Sequence, residues 1–109
     1  MTFNEYQAAA RQTAVYPQRG DNLAYPALGL AGEAGEVAEK VKKVIRDKAG
    51  VVDAATREAL KQELGDVFWY VAALCDEVGL EMEEVAAGNI RKLQDRQARH
   101  VLHGSGDNR

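Results

Sequence analysis

The 109-residue sequence has little of what several protein classes need. Its one cysteine, Cys75, has no partner for an internal disulfide, which is typical of a reducing compartment such as the cytoplasm. The net charge is −3, so no basic field is present to attract a nucleic acid. No apolar run approaches the roughly 18 residues of a membrane span, and the first residues lack a secretory signal pattern. We therefore expect one cytoplasmic domain over residues 1–109, with neither a membrane nor a nucleic acid as partner.

Proline and aromatic residues are also scarce, and this favours one fold class. The chain has two prolines, four tyrosines, two phenylalanines and one tryptophan, whereas alanine, glutamate, lysine and leucine are plentiful. That balance favours helices over a sheet. The apolar spacing predicts helices over residues 3–15, 22–47, 54–78 and 81–99, with an irregular tail over 100–109. The expected fold is an all-α, four-helix-bundle-like subunit.

Short polar signals mark the expected helix ends. Thr2 and Glu5 have the spacing of a capping box, in which each side chain satisfies a free backbone N–H of the first turn. Asp21 and Asp53 are predicted to cap the second and third helices. Gly79 stands where a left-handed residue usually ends a helix.

The two middle helices contain an internal repeat at an offset of 30 residues. Leu30-x-x-Glu33-Ala34-Gly35-Glu36-Val37 aligns with Leu60-x-x-Glu63-Leu64-Gly65-Asp66-Val67. In each run the two carboxylates, at i and i+3, flank the apolar stripe of the helix. In an antiparallel hairpin both pairs lie at about the same height, roughly 15–20 Å from the connection, so the sequence predicts four converging carboxylates. A glycine inside a helix costs about 1 kcal/mol, and the two shared glycines predict close approach by another helix.

Four converging carboxylates predict a divalent cation, because their repulsion raises their pKa values unless a cation is bound. Oxygen ligands without histidine or cysteine suit Mg²⁺ or Mn²⁺ rather than zinc, and a di-iron bundle would need Glu-x-x-His. Magnesium with few protein ligands completes its shell with water and phosphate, which indicates phosphate-ester or phosphoanhydride chemistry. A single Glu-x-x-Glu pair usually lies on a solvated helix face, but two pairs in the same phase on two helices favour a cation site.

Apolar residues surround both middle helices, not only the stripe beside the acids. They are Leu28, Ala31 and Gly32 on the second helix and Phe68, Trp69, Ala72 and Ala73 on the third. Four short helices of one chain can hardly bury two such helices. We therefore expect a homo-oligomer, at least a homodimer.

Glu33-x-x-Glu36 followed by Glu63-x-x-Asp66 resembles the motif of MazG-like nucleotide pyrophosphohydrolases, in the all-α NTP pyrophosphohydrolase superfamily. The resemblance extends over residues 22–23, 29–40, 63–67 and 89–93. It implies a subunit that forms a homodimer or a dimer of dimers, and Mg²⁺-dependent hydrolysis of nucleoside triphosphates between the α- and β-phosphates. It also implies that the four acids are the Mg²⁺ ligands and the catalytic centre.

The resemblance also implies substrate contacts. Asn89, Lys92 and Arg96 match an N-x-x-K-x-x-x-R pattern that meets the phosphates, and Tyr70 matches a nucleotide-contacting position. Lys40, one turn after Glu36, is expected either to touch phosphate or to form an exposed ion pair.

Three residues at the edges of the pattern are weaker candidates: Asn22 at the entry to the second helix, and Asp107 and Arg109 in the tail. The tail departs from the K-x-R-Y-P ending of many MazG domains, and polar terminal segments of this kind are commonly mobile.

The expected chemistry is attack of water on the α-phosphorus, with Glu36 or Glu63 accepting the proton and cations stabilising the leaving pyrophosphate. Removal of surplus or damaged nucleotides is the expected role. Two alternatives stay open: a phosphoribosyl-ATP-type pyrophosphohydrolase, and a non-catalytic helical module that binds a nucleotide or a structural metal.

Overall fold

The computed structural model describes all residues from 1 to 109 and contains four helices and no strand. They are α1 (Phe3–Arg11), α2 (Ala24–Asp47), α3 (Ala54–Val78) and α4 (Met82–Ala98). The all-α prediction is confirmed, and the bounds of α2, α3 and α4 lie within two residues of those expected. None of the four helices combines the length and apolar character that crossing a lipid bilayer requires.

The first helix begins as predicted but ends early. The capping box of Thr2 and Glu5 is present, with both reciprocal hydrogen bonds formed. Helix α1 ends at Arg11 rather than at residue 15. The hydroxyl of Thr13 donates to the Ala10 carbonyl at 2.7 Å, and a side-chain bond of this kind competes with the regular helical ladder.

The start of α2 differs from the prediction in its cap. The Asn22 carboxamide oxygen, not the Asp21 carboxylate, accepts from a backbone N–H of the first turn, that of Tyr25, at 3.0 Å. The Asn22 amide group donates to the Pro17 carbonyl at 2.8 Å, which fixes the orientation of the side chain. The prediction of Asp21 as the cap was therefore wrong: Leu23 occupies the cap position without a side-chain bond, and Asn22 satisfies the first-turn N–H instead.

Both ends of α3 are as the sequence predicts. The Asp53 carboxylate accepts from the Thr56 N–H at 2.8 Å, and this hydrogen bond is one of those that lower its pKa. Gly79 ends the helix in the left-handed region, with φ of +71°, where a residue with a Cβ would be strained.

Helix α3 is the centre of the packing. Helix α2 packs along α3 and contacts no other helix, whereas α1 packs against both α3 and α4. Two small groups of buried residues form the core, one with Ala10, Ala72, Cys75 and Met82 and the other with Ala14, Tyr16 and Ala73. Trp69 packs against both groups.

The single chain is less compact than a typical monomer of its size. Its radius of gyration is 16.7 Å, against about 13 Å expected for a compact domain of this length. Its accessible surface is 7652 Å², against about 5,900 Å² for a monomer of this mass. Gly35 and Gly65 have no atom within 4 Å of an added Cβ, so the predicted close approach by another helix is wrong within one chain.

A carboxylate in α3 organises the segment between α1 and α2. The Glu77 carboxylate accepts from the Tyr16 hydroxyl at 2.5 Å, from the Gly20 N–H at 2.9 Å and from the Asn22 N–H at 3.2 Å. These hydrogen bonds lower the pKa of Glu77, with that from Tyr16 the largest cause. Burial and the same contact raise the pKa of Tyr16 to about 12.

We expect Glu77→Gln to reduce the loss of folding stability that the native chain shows as the pH falls. Because its pKa is lower in the folded state, the Glu77 carboxylate stabilises the fold above the unfolded pKa of about 4.3, and this contribution is lost as pH falls through the folded pKa. The free energy of unfolding of the variant should be lower than that of the native chain at pH 7, with the difference narrowing below pH 4. Urea denaturation across that range measures it. In Glu58→Gln, whose carboxylate has only a 3.8 Å ion pair with Lys61, the pH dependence of the free energy of unfolding should equal that of the native chain. An equally unchanged pH dependence in Glu77→Gln would contradict the assignment.

Candidate functional site

Packing of α2 along α3 brings three of the four repeated acids together. Glu33 from α2 and Glu63 and Asp66 from α3 each offer a carboxylate oxygen, and these oxygens lie within 4.8 Å of one another. We refer to these three residues as the acidic cluster. Glu33 and Glu63 are half-buried and Asp66 is exposed, so the cluster opens to solvent on the side of Asp66.

The electrostatics of the cluster are unfavourable without a cation. Burial raises the pKa of Glu33, and the charges of Asp66, Glu63 and Glu36 raise it further. No lysine or arginine forms an ion pair of 4.0 Å or less with any member of the cluster. The protein therefore supplies no positive charge of its own to offset this repulsion.

The residues present fit a hard divalent cation. All three ligands are carboxylate oxygens, and two oxygens on opposite sides of a Mg²⁺ ion stand about 4.2 Å apart. The observed spread of 4.8 Å needs only small side-chain movements to reach that geometry. Three carboxylates leave other coordination positions for water or phosphate, as Mg²⁺ sites usually do.

Two members of the cluster, Glu33 and Asp66, form one wall of an open depression of about 370 Å³. Its lining is Thr13, Glu33, Asp66, Trp69 and Tyr70. The Trp69 indole N–H donates to the Thr13 hydroxyl at 2.7 Å, which fixes the indole ring beside the acids. Carboxylates thus meet aromatic rings in one depression, which is a surface suited to a ligand with both a charged and a flat apolar part.

Tyr70 lines the depression beside Glu33 and Asp66, and its nucleotide contact stays a prediction. It stands one turn after Asp66 on α3, and burial raises the pKa of its phenol, with further contributions from Tyr25, Glu33 and Asp66. The ring packs directly over Gly29, where a Cβ would come within 2.1 Å of the ring. A glycine at position 29 is therefore required for this position of Tyr70, a role that the sequence pattern did not reveal.

Glu36 and Lys40 lie on α2 beyond the acidic cluster. Glu36 is exposed and stands one turn after Glu33, close enough to raise the pKa of that residue. Lys40 is half-buried and forms no ion pair with Glu36, so the exposed pair considered for it is absent. The metal role of Glu36 and the phosphate role of Lys40 stay predictions.

The three phosphate-contact candidates share α4, away from the acids of the same chain. Helix α4 makes no contact with α2, and no α4 residue lines the depression beside the cluster. Asn89 is exposed, and the Lys92 side chain is 41% exposed. The Arg96 side chain is 5% exposed and its guanidinium faces residues of the tail. One chain therefore does not bring these cations to the acids.

The three weaker candidates have definite contacts in the structure. Both polar groups of the Asn22 side chain form hydrogen bonds at the start of α2, with the Pro17 carbonyl and the Tyr25 N–H. The Asp107 carboxylate accepts from Lys92 and Arg96, and the Arg109 guanidinium donates to backbone carbonyls of the tail. The tail is irregular, as expected, and residues 102–108 are exposed, but Lys92, Arg96 and Arg99 hydrogen-bond to it and hold it beside the end of α4.

Comparison with known proteins gives two matches. A family model described as the MazG nucleotide pyrophosphohydrolase domain matches residues 24–101, which include the acidic cluster and all of α2, α3 and α4. The chain is also 50% identical to the Gene 37 protein of Mycobacterium phage L5, over an alignment that covers 95% of this chain and 96% of that protein. The name of that relative states no activity. No solved structure matches the chain significantly.

Proposed function

The chain belongs to the MazG nucleotide pyrophosphohydrolase family, and from this membership we propose that it is a Mg²⁺-dependent nucleoside triphosphate pyrophosphohydrolase. It cleaves ribo- or deoxyribonucleoside triphosphates between the α- and β-phosphates, giving a nucleoside monophosphate and pyrophosphate. Removal of surplus or damaged nucleotides in the cytoplasm is the role that suits this reaction.

One observation carries the proposal: carboxylate oxygens of Glu33, Glu63 and Asp66 lie within 4.8 Å of one another beside an aromatic depression. Acids that repel one another without a neighbouring cation favour a bound divalent ion, and Mg²⁺ held by a few carboxylates usually completes its coordination with water and substrate phosphates. We propose that α2 and α3 form an antiparallel hairpin. Its support is that Glu33 stands 14 residues before the end of α2 at Asp47, and Glu63 stands 10 residues after Asp53, so both lie at a similar height.

The proposed reaction has a simple balance. The oxygen of a water molecule bonds to the α-phosphorus, and the bond from that phosphorus to the α–β bridging oxygen breaks. Pyrophosphate leaves with the electron pair of the broken bond, and the proton of the water passes to a carboxylate. A bound Mg²⁺ ion supplies positive charge for the phosphates and a lower pKa for water. Glu36 is suited to receive the proton because it is exposed, adjacent to the cluster and outside it.

A second copy of the chain completes the proposed site. The acids lie between α2 and α3, whereas Asn89, Lys92 and Arg96 lie on α4, which does not contact α2. The chain also has more exposed surface than a compact monomer of its size, with Phe68, Leu64 and Val85 among the exposed apolar residues. We propose a homodimer or a dimer of dimers in which α4 of one copy approaches the acidic cluster of another.

Product analysis on a panel of triphosphates tests the function. With Mg²⁺ or Mn²⁺ we expect the purified chain to release pyrophosphate and a nucleoside monophosphate, and excess EDTA should abolish release. Standard and oxidised ribo- and deoxyribonucleoside triphosphates belong in the panel, together with phosphoribosyl-ATP. The two products are separated by anion-exchange chromatography.

Each product pattern has one meaning. Turnover of phosphoribosyl-ATP alone would replace the proposed substrate class by the phosphoribosyl-ATP type. Release of inorganic phosphate with a nucleoside diphosphate would contradict cleavage at the α-phosphorus. Metal binding without turnover of any substrate would support the non-catalytic module instead.

A further inference from the structure

The tail, residues 100–109, turns back along α4 through a defined helix ending. His100 has φ of +59°, and its N–H donates to the Gln97 carbonyl at 3.1 Å. The Val101 N–H donates to the Arg96 carbonyl at 2.9 Å. This pair of bonds with a left-handed residue is a Schellman ending, which reverses the chain at the end of a helix.

A single arginine closes the tail on itself. The Arg109 guanidinium donates to the carbonyls of Val101 at 3.3 Å and Leu102 at 3.1 Å, and also to that of Gly106. Its side chain crosses Gly104 so closely that a Cβ there would lie 2.6 Å from the arginine Cδ. Outside the Asp107 contacts, the end of this closed tail is joined to α4 by the Arg99 guanidinium, which donates to the Arg109 backbone oxygen at 2.6 Å.

Asp107 uses this position to bridge the two cations of α4. Its carboxylate Oδ1 lies 3.1 Å from Lys92 Nζ and 3.3 Å from Arg96 Nη2, and its carbonyl accepts from the same Nη2 at 2.9 Å. Hydrogen bonds and charge from Lys92 and Arg96 lower the pKa of Asp107, so it is ionised at neutral pH. The Asp107 side chain is 83% exposed and that of Lys92 is 41% exposed, so a competing anion in solution can reach the Lys92 ammonium group beside it.

We propose that Asp107 takes the place of a phosphate oxygen on Lys92 and Arg96, and gives up this place when the triphosphate binds. The inference rests on the proposed function in one respect, that these two cations contact the triphosphate. Exposed ion pairs are weak, and a polyphosphate carries several charges where Asp107 carries one. Because the bonds of Arg109 within the tail and the bond from Arg99 do not involve Asp107, the carboxylate can leave the cations without breaking them.

Binding of inorganic tripolyphosphate to the full chain tests the exchange of anions. Calorimetry is done in EDTA, so that no metal at the acidic cluster contributes and no hydrolysis occurs. Removal of the competing charge in Asp107→Asn should tighten tripolyphosphate binding by about two- to fivefold, the range that an exposed ion pair supports. Asp95→Asn is the matched control, since Asp95 pairs with Arg99 at 2.8 Å and not with either cation, and its affinity should equal that of the native chain. Equal or weaker binding by Asp107→Asn overturns the proposal.

The titration of the Asp107 carboxyl gives a second readout that does not depend on catalysis. In the native chain saturating tripolyphosphate should raise the pKa of Asp107, followed by the carboxyl ¹³C signal in NMR, because the hydrogen bonds from Lys92 and Arg96 that lower this pKa are lost. Lys92→Gln should reduce the response, since one of the two cations is missing. An unchanged titration of Asp107 with tripolyphosphate bound would mean that the carboxylate stays on the cations, and it would overturn the displacement. Failure of the triphosphate panel alone would remove the proposed hydrolysis but leave these two binding results standing.

Discussion

Replacing Asp66 with asparagine should lower kcat for Mg²⁺-dependent pyrophosphate release by at least about 100-fold. The substitution keeps the size of the side chain and removes the negative charge from the most exposed member of the acidic cluster. A cation held by carboxylates stabilises the transition state by several kcal/mol, and loss of one charged ligand forfeits a large part of this. Folding should not suffer, because the change also removes a charge that raises the pKa of Glu33. Steady-state pyrophosphate release at saturating substrate and Mg²⁺ measures the effect.

Glu58→Gln is the matched control for Asp66→Asn. Glu58 is another exposed acid of α3 and has only a 3.8 Å ion pair with Lys61, so its neutralisation should leave kcat within about twofold of the native value. Thermal unfolding without metal should show Asp66→Asn at least as stable as the native chain. Near-normal turnover by a folded Asp66→Asn would remove the acidic cluster as the catalytic centre.

The helices could be predicted where a local signal decides the structure. The Thr2–Glu5 box, Asp53 and Gly79 each satisfy backbone groups within a few residues, so the sequence contains the whole interaction. The end of α1 could not be predicted in this way, because the Thr13 hydroxyl is used by Trp69, which lies 56 residues away in the chain. The segment before α2 could not be predicted either, because its backbone N–H groups donate to Glu77, which lies in α3.

The acidic cluster could be predicted because the acids recur at the same phase on two helices that pack together. The repeat at an offset of 30 puts acids in the same phase on α2 and α3, and packing of these helices brings Glu33, Glu63 and Asp66 together. Glu36 is outside the group, although Glu63 and Asp66 have the same i,i+3 spacing and both belong to it. Which members of the α2 pair reach the cluster depends on the rotation of α2 about its axis, and periodicity alone does not set this rotation.

The surroundings of α4 could not be predicted from the spacing of its residues. Asn89, Lys92 and Arg96 do share one helix face, as the i, i+3, i+7 pattern requires. What covers that face depends on long-range contacts: the tail turns back over Arg96, and α4 stands away from α2. A helix pattern gives the phase of a side chain but not the identity of its neighbour.

Replacing Ile90 with aspartate should weaken self-association of the chain by at least about 100-fold. The apolar stripe of α4 continues beyond the buried Met82 to Val85, Ile90 and Leu93, which are 44%, 52% and 37% exposed in the single chain. If a second copy covers this stripe, the variant buries a charge without a partner, which costs roughly 3 kcal/mol or more, and each 1.4 kcal/mol corresponds to about tenfold in affinity. Sedimentation equilibrium over a range of chain concentrations measures the change.

Activity should follow association in the Ile90→Asp variant. Within one chain α4, which carries Lys92, does not contact α2, and no α4 residue lines the depression beside the cluster. If the site is shared between copies, a dissociated chain should therefore lose turnover as it is diluted. Val51→Asp is the matched control: Val51 is 64% exposed in the connection between α2 and α3, and the same change there should alter neither association nor activity. A native chain that stays monomeric at micromolar concentration yet hydrolyses triphosphates would refute the shared site. So would an Ile90→Asp monomer with full activity, since the cations and acids of one chain would then have to meet by a movement of α4 itself.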